Sequence, residues 1–137
     1  MELRGKILDV IGGPHTAAVA TVDGNRPAVR FMLLKGFPDM TLVGGTKKSS
    51  RKVAQLKKNA DVSIAIWSGK EITNPYVEIR AQVTIHEDIA TKKKYWTPMF
   101  VPYFKTVDNP DFVVLVFTAS EITYYVPSSA SRDVWKR

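Results

Sequence analysis

Residues 46–52 place hydroxyl groups and cations side by side, in the order Thr-Lys-Lys-Ser-Ser-Arg-Lys. They follow a strand-like run that ends at Gly45, and they precede a predicted helix with Val53, Leu56 and Ala60 on one face. The first N–H groups of a helix are unpaired and carry partial positive charge, so each cation there costs about 0.3–1 kcal/mol. No Asp or Glu lies between residues 40 and 59 to offset that cost. The pattern therefore predicts an anion site, most simply for a phosphate.

The residue types in this segment suit a phosphate, because they supply hydroxyl donors, a bidentate guanidinium and a point charge. The residues concerned are Thr46, Ser49, Ser50, Arg51 and Lys52. The alternative is a solvated helix with one of the two serines as its N-cap, which explains the serines but not the cations. The motifs GxxxxGK[ST] and GxGxxG are absent, so the segment is neither a P-loop nor a Rossmann fingerprint.

A second candidate is Arg30, which lies in a predicted strand among residues that are apolar on both faces. An arginine in such surroundings needs an anionic or hydrogen-bonding partner. It joins the anion site, forms a salt bridge to a carboxylate at the edge of the core, or lies at an edge position facing water.

Other chemistries have less support. The chain has no cysteine, which excludes disulfides, thiolate metal sites and a Cys nucleophile. His15 and His86 have no acidic ligand pattern, so we expect no metal site. Four aromatic residues could wall a flat ring, fill a barrel end or form a dimer interface; they are Trp96, Phe100, Tyr103 and Phe104.

The composition indicates one globular domain over residues 1–137, since 45% of the residues are hydrophobic and 24% are charged. The net charge of +7 favours polyanionic partners such as phosphorylated ligands or nucleic acid. No apolar run approaches the ~18–20 residues that a membrane helix needs. We expect a cytoplasmic location.

The elements that must position these residues are mostly strands. Residues 1–13 contain a short helix over 2–11, and the hairpin signal Asp23-Gly24-Asn25 joins strands over 15–22 and 26–35. Further strands are predicted at 40–45, 62–67, 77–85 and 112–117, the last continuing to 126. Asn59 is expected to end the basic helix in a left-handed conformation, and Asp88 to cap another helix. Residues 127–137 read as a mobile tail in which Trp135 docks. The fold class is mainly β with short helices, a six-stranded antiparallel split β-barrel.

Two motifs resemble those of the pyridoxamine 5'-phosphate oxidase family of FMN-binding split barrels, and more narrowly its short general stress protein 26 type. The family's strand motif R-x-V-L-L-K is read here as Arg30-Phe31-Met32-Leu33-Leu34-Lys35. Its T-x-x-x-S-R-K motif has the same spacing here. The resemblance extends from about residue 15 to residue 125.

The resemblance implies a homodimer that holds two FMN molecules at the subunit interface and acts as an oxidoreductase on a small molecule. The implied cofactor-binding residues are Arg30, Phe31, Met32, Leu33, Gly45, Thr46, Ser50, Arg51 and Lys52. The backbone of residues 31–33 would lie along the isoalloxazine, and Lys35 would face the substrate. No catalytic side chain is implied.

The chain departs from the oxidases of this family at two positions. Tyr76 stands where they place a glutamine, and Ala81 replaces a frequent glycine. These changes argue against oxidation of vitamin B6 phosphates but weaken FMN binding little. The remaining alternatives are a split barrel that binds F420 or haem, a flavin-binding stress protein without turnover, and a nucleic-acid-binding module.

Overall fold

A computed structural model describes the whole chain, Met1–Arg137. Seven strands form one antiparallel sheet; they are β1 (Gly13–Asp23), β2 (Arg26–Gly36), β3 (Thr41–Lys47), β4 (Asp61–Trp67), β5 (Tyr76–His86), β6 (Phe112–Val126) and β7 (Ser131–Lys136). The helices are α1 (Leu3–Ile11), α2 (Arg51–Lys58), α3 (Ile89–Tyr95) and α4 (Val101–Phe104). None of these helices has the length and apolar composition needed to cross a membrane.

The first six strands close into a barrel in the order β3-β2-β1-β4-β5-β6, because β3 also pairs with β6. Two seams are short: β2 and β3 pair only at Lys35–Val43 and Gly36–Leu42, and β1 and β4 pair over residues 18–20 and 63–65. The strands diverge beyond these pairs, so the barrel is split. The predicted fold class is confirmed.

The predicted elements fall close to the observed ones. Gly24 has a positive φ of 65° in the two-residue loop that joins β1 and β2, as the hairpin signal requires. The buried alternate residues of β5, among them Val77 and Ile79, follow the period-two pattern in the sequence. Asn59 has an extended backbone with a φ of −147°, so its predicted left-handed cap is wrong.

Residues 127–137 were expected to be mobile, and this prediction is wrong. They form a 3-10 turn followed by β7, which pairs with β6 over residues 121–126. Trp135 packs against the main core, as predicted. The strand continues the sheet past the end of β3, so β6 has three partners along its length.

Two apolar clusters hold the fold together. The main one fills the barrel and includes Ile7 and Ile11 of α1, which are fully buried. The smaller one lies on the opposite face of β3 and β6, where Phe112 contacts the rings of Phe100 and Phe104 at centroid distances of 5.3 and 4.8 Å. Most of the aromatic residues considered for ring binding therefore pack on each other. Tyr103 is the exception and is exposed.

Candidate functional site

Arg30 lies on the inner face of β2, in line with the buried Met32 and Leu34. Its guanidinium donates hydrogen bonds to the Thr21 hydroxyl (2.6 Å), the Gln55 side-chain carbonyl (3.0 Å) and the Val19 carbonyl (3.2 Å). All three acceptors are neutral, so the partners fix the side chain without balancing its charge. Burial lowers the pKa of Arg30, because the charged form is partly removed from water.

Lys52 lies close to Arg30, in the first turn of α2. Burial, followed by repulsion from the Arg30 charge, lowers the pKa of Lys52. The protein has two ion pairs of Lys or Arg with a carboxylate and one close contact of His86 with Asp88, and neither residue takes part in any of them. Two like charges thus share a half-buried location without a counter-charge. This arrangement is unfavourable for the protein alone and favourable once an anion binds between them.

The serine that begins α2 leaves a hydrogen-bonding group free next to these cations. Ser50 occupies the N-cap position, but its hydroxyl makes no capping bond. Its Oγ atom is buried and has no hydrogen-bond partner. A buried hydroxyl without a partner costs about 1–3 kcal/mol, which a ligand oxygen would relieve. Thr46, at the end of β3, is also buried.

Two neighbouring residues, Lys48 and Ser49, are already paired with acidic residues. Lys48 forms an ion pair with Glu87 at 2.6 Å. The Ser49 backbone N–H and hydroxyl both donate to the Asp111 carboxylate, at 3.0 and 3.2 Å. The sequence segment near residue 46 lacks acids, but the fold supplies them from elsewhere in the chain.

Of the four cations in this run, only Lys48 has an acidic partner, while Lys47, Arg51 and Lys52 form no ion pair. Lys52 differs from the other two because it is partly buried and lies close to Arg30.

Two other predicted cofactor residues are Arg51 and Gly45. Arg51 is exposed at the start of α2, next to the Gly24 turn and in no ion pair.

Gly45 has a separate structural reason to be glycine. A Cβ atom there would lie 2.6 Å from the Phe100 ring and 2.9 Å from the Phe112 ring.

The outer face of β2 carries apolar side chains into solvent. Val29, Phe31 and Leu33 are 70%, 77% and 43% exposed. Trp67 and Tyr76 on β4 and β5 are also exposed large apolar residues. Met32 points inward, so it can offer only its backbone on this side. A row of exposed apolar residues is typical of a binding or subunit surface.

Lys35 lies near the end of β2, five residues after Arg30, which is about 17 Å along a strand. Its ammonium group lies 5.4 Å from the centre of the Phe37 ring. The two residues line a small cavity of about 150 Å³ at the seam where β2 leaves β3, together with Leu33, Val43, Tyr95 and Phe100. The site therefore has two cations, Arg30 and Lys52, at one end and a third, Lys35, beside a mainly apolar cavity at the other.

A larger cleft of about 680 Å³ lies between the ends of β1 and β4, and it includes Arg80, Gln82 and Thr21. Arg80 in its wall already has an acidic partner in Glu121, at 3.7 Å. Thr21, which accepts a hydrogen bond from Arg30, is the one residue that lines this cleft and also belongs to the group around Arg30 and Lys52. We therefore place the candidate site at Arg30 and Lys52 rather than in the larger cleft.

The chain matches the family described as pyridoxamine 5'-phosphate oxidase over residues 3–126. It belongs to this family. The family assignment agrees with the two motifs at Arg30 and at Thr46.

Within the family, the chain is similar to general stress protein 26 of Bacillus subtilis, at 26% identity over 123 residues that cover 88% of this chain and 86% of the relative. The crystal structure of general stress protein 26 from Bacillus anthracis has the same fold, with a TM-score of 0.84, 23% identity and 100% of both chains covered.

Other solved structures with this fold bear names that mention different ligands. An FMN binding protein from Nostoc punctiforme has a TM-score of 0.67 at 15% identity, covering 98% of this chain and 90% of that one. An F420 reductase has a TM-score of 0.67 at 20% identity, with coverages of 84% and 94%. A heme binding protein from Mycobacterium smegmatis has a TM-score of 0.78 at 16% identity, with coverages of 99% and 59%. The fold alone therefore does not select the ligand.

Sequence reasoning missed two residues of this family member's site. Gln55 and Thr21 fix the Arg30 guanidinium and also bond to each other at 2.6 Å. The signal for Gln55 was its spacing, since it follows Lys52 by three positions and shares its side of α2. Thr21 offered no signal, because threonine is common in strands.

Proposed function

We propose that this protein binds FMN, with the phosphate held by Arg30 and Lys52. The main support for this proposal is that these two cations lie close together and partly buried, and that neither has a carboxylate partner. A phosphate would balance both charges and could accept a hydrogen bond from the unpaired Ser50 hydroxyl. Thr46 and Arg51 complete the donors around it. The residues present thus fit a phosphorylated cofactor.

The rest of the cofactor would extend along β2 from this cationic end. The backbone of residues 31–33 would support the isoalloxazine, and the strand between Arg30 and Lys35 provides about 17 Å for it. Lys35 and its cavity would then face the substrate. The family assignment supports this placement, because the match over residues 3–126 includes both the Arg30 motif in β2 and the Thr46 motif that leads into α2.

We propose oxidoreductase activity on a small molecule for the loaded protein. Bound flavin supplies the redox chemistry, while the chain supplies binding, orientation and electrostatics. Cations at both ends of β2 would favour a ligand that gains negative charge when reduced. No side chain of the site is placed as a general acid or base. A flavin-binding protein without turnover differs from this proposal only in lacking a substrate.

FMN is favoured over haem because both histidines already have local hydrogen bonds. The Nε2 atom of His15 lies 2.8 Å from the Gly12 carbonyl, and that of His86 lies 2.7 Å from the Thr84 hydroxyl. F420 also carries phosphate and would use the same cations. Competition among FMN, F420 and haem for the purified protein would rank the three ligands.

The direct test is a titration of purified protein with FMN, followed by absorbance and fluorescence. We expect a protein-bound flavin spectrum and saturation at micromolar concentration. Riboflavin, which lacks the phosphate, should bind much more weakly, since it cannot engage Arg30 or Lys52. Failure to take up FMN at micromolar concentration would overturn the proposal.

We also propose that two copies associate through the exposed apolar face of β2. A flat ring that lies on an exposed strand would have its other face in contact with water, and a second copy of the chain would cover that face. We expect a mass of twice 15.3 kDa in sedimentation equilibrium. Phe31→Glu should yield monomers, whereas Tyr103→Glu, at a similarly exposed aromatic residue on α4, should not. A monomeric wild-type protein would contradict this part of the proposal.

A further inference from the structure

The turn that leads into α2 is fixed by a residue far away in the chain. Asp111 accepts hydrogen bonds from the Ser49 backbone N–H at 3.0 Å and from the Ser49 hydroxyl at 3.2 Å. Its backbone carbonyl also accepts from the Lys48 N–H at 2.7 Å. These three bonds hold the two residues that immediately precede Ser50. The position of the Ser50 hydroxyl and of the first N–H groups of α2 therefore depends on Asp111.

Asp111 is itself held by a partly buried network of hydrogen bonds. The side-chain oxygen of Asn109 accepts from the Asp111 N–H at 2.9 Å, and its amide donates to the Phe104 carbonyl at 2.9 Å. Lys92, only 5% exposed, donates to the Asn109 carbonyl at 3.2 Å. A buried lysine is rare in proteins, and here it ties α3 to the loop before β6. The loop is thus anchored to both α3 and α4.

We infer that Asp111 is a positioning residue for the phosphate site, acting through Ser49. This inference rests on the proposed function. A carboxylate close to an anion site is unfavourable by charge alone. Here both carboxylate oxygens accept from Ser49, so its contribution is to order the turn. The anion then meets donors whose geometry is set before it arrives, which lowers the entropy lost on binding.

The test compares Asp111→Ala with Asp111→Asn. The asparagine keeps an oxygen that accepts from the Ser49 N–H and removes the negative charge. We expect Asp111→Ala to weaken FMN binding about 10- to 100-fold, because bonds to a charged group are lost and the turn is freed. Asp111→Asn should stay within about threefold of wild type or bind more tightly, since repulsion of the phosphate is relieved. This rescue by asparagine separates positioning of the turn from the charge itself.

Asp108→Ala is the matched control, because Asp108 lies in the same loop and forms no hydrogen bond with Ser49. It should leave FMN affinity unchanged. Hydrogen exchange at the Ser49 amide should be fast in Asp111→Ala and slow in wild type. Equal FMN affinity in wild type and Asp111→Ala, or equal weakness in the alanine and asparagine variants, would overturn the inference.

Inorganic phosphate serves as a second probe, followed by amide chemical shifts of residues 48–52. If wild type binds phosphate in an Asp111-dependent way but takes up no FMN, the proposed function fails and the positioning role stands. If FMN binds equally well without Asp111, the positioning role fails and the proposed function stands. If neither probe binds to wild type, both are wrong.

Discussion

The two ends of the basic segment differ in how their charge is balanced. Lys48 and Ser49 have acidic partners in Glu87 and Asp111, while Lys52 shares its surroundings with Arg30 and has none. The residues are only a few positions apart and look alike in the sequence. The difference separates an end whose partners hold the turn in place from an end whose charge is unbalanced, and the proposed ligand would bind at the second. Density of positive charge alone would not have separated these roles.

Charge reversal at the two ends is the strongest test of this contrast. Lys52→Glu should weaken FMN binding at least about 100-fold, because a charge-assisted contact worth about 1.5–3 kcal/mol is replaced by repulsion. Lys48→Glu adds the same charge to the same turn but lies at the paired end, so it should change affinity by less than about fivefold. Isothermal titration of both variants measures the difference. Similar losses in the two variants would mean that the segment acts as one diffuse positive patch.

The pH dependence of FMN affinity gives a second test. The pKa of Lys52 in the folded protein lies below its ordinary value of 10.5. Between these two values the unfolded chain binds more protons, so the ligand-free protein gains stability as pH rises through this window. A phosphate favours the charged lysine, and FMN affinity should therefore fall through the same window, by at most about tenfold per pH unit.

Lys52→Arg is the control for this pH effect, because arginine stays protonated up to a pH above about 12. Its FMN affinity should be flatter than that of wild type when both are titrated from about pH 7 to about pH 10. Identical slopes would assign the effect to the flavin rather than to Lys52.

A smaller effect is expected on the stability of the ligand-free protein. Lys52→Met removes a partly desolvated charge that is repelled by Arg30, so the free energy of unfolding should rise, by about 1 kcal/mol or less after solvent screening. Denaturant unfolding without FMN measures it. The variant would then be more stable and bind worse, which is the sign of a residue placed for function. A less stable variant would show that Lys52 supports the fold.

The smallest effect is expected at the paired end. Glu87→Gln breaks the ion pair with Lys48, in which both side chains are about half exposed. The free energy of unfolding should fall only slightly, and the difference should shrink in high salt. The lost charge also makes the neighbourhood more positive, so FMN affinity should stay equal or rise slightly. A marked loss of FMN affinity would show that the ion-paired end at Lys48 also contributes to ligand binding, contrary to the proposal.

The barrel could be predicted from the sequence because its signals are local. The alternation in β5 and the Asp23-Gly24-Asn25 turn each depend on neighbouring residues. β7 was missed because Ser131–Lys136 is mostly polar and exposed, and its buried contribution to the core is a single tryptophan. An edge strand of this kind carries no alternating pattern to detect.

The candidate site was predictable only in part, for the same physical reason. The cations at Arg30 and Lys52 are visible in the sequence, but their partners are not. Asp111 meets Ser49 across 62 positions, and Gln55 meets Arg30 across 25. Gly45 was assigned to the cofactor alone, whereas the Phe100 ring also excludes a side chain there. Contacts between residues so far apart in the chain are set by the closed barrel, and they produce no periodic pattern in the sequence.

The contact between Asp111 and Ser49 also bears on how the protein folds. It joins segments that approach only after β3 has paired with β6, over Thr41–Lys47 and Phe112–Thr118. Pairing across such a long stretch of chain is slow, since loop closure precedes any gain from the contacts. We therefore expect the candidate site to form late in folding, after the rate-limiting step of folding. Bound cofactor would then prolong the lifetime of the native state while leaving the speed of its formation almost unaltered.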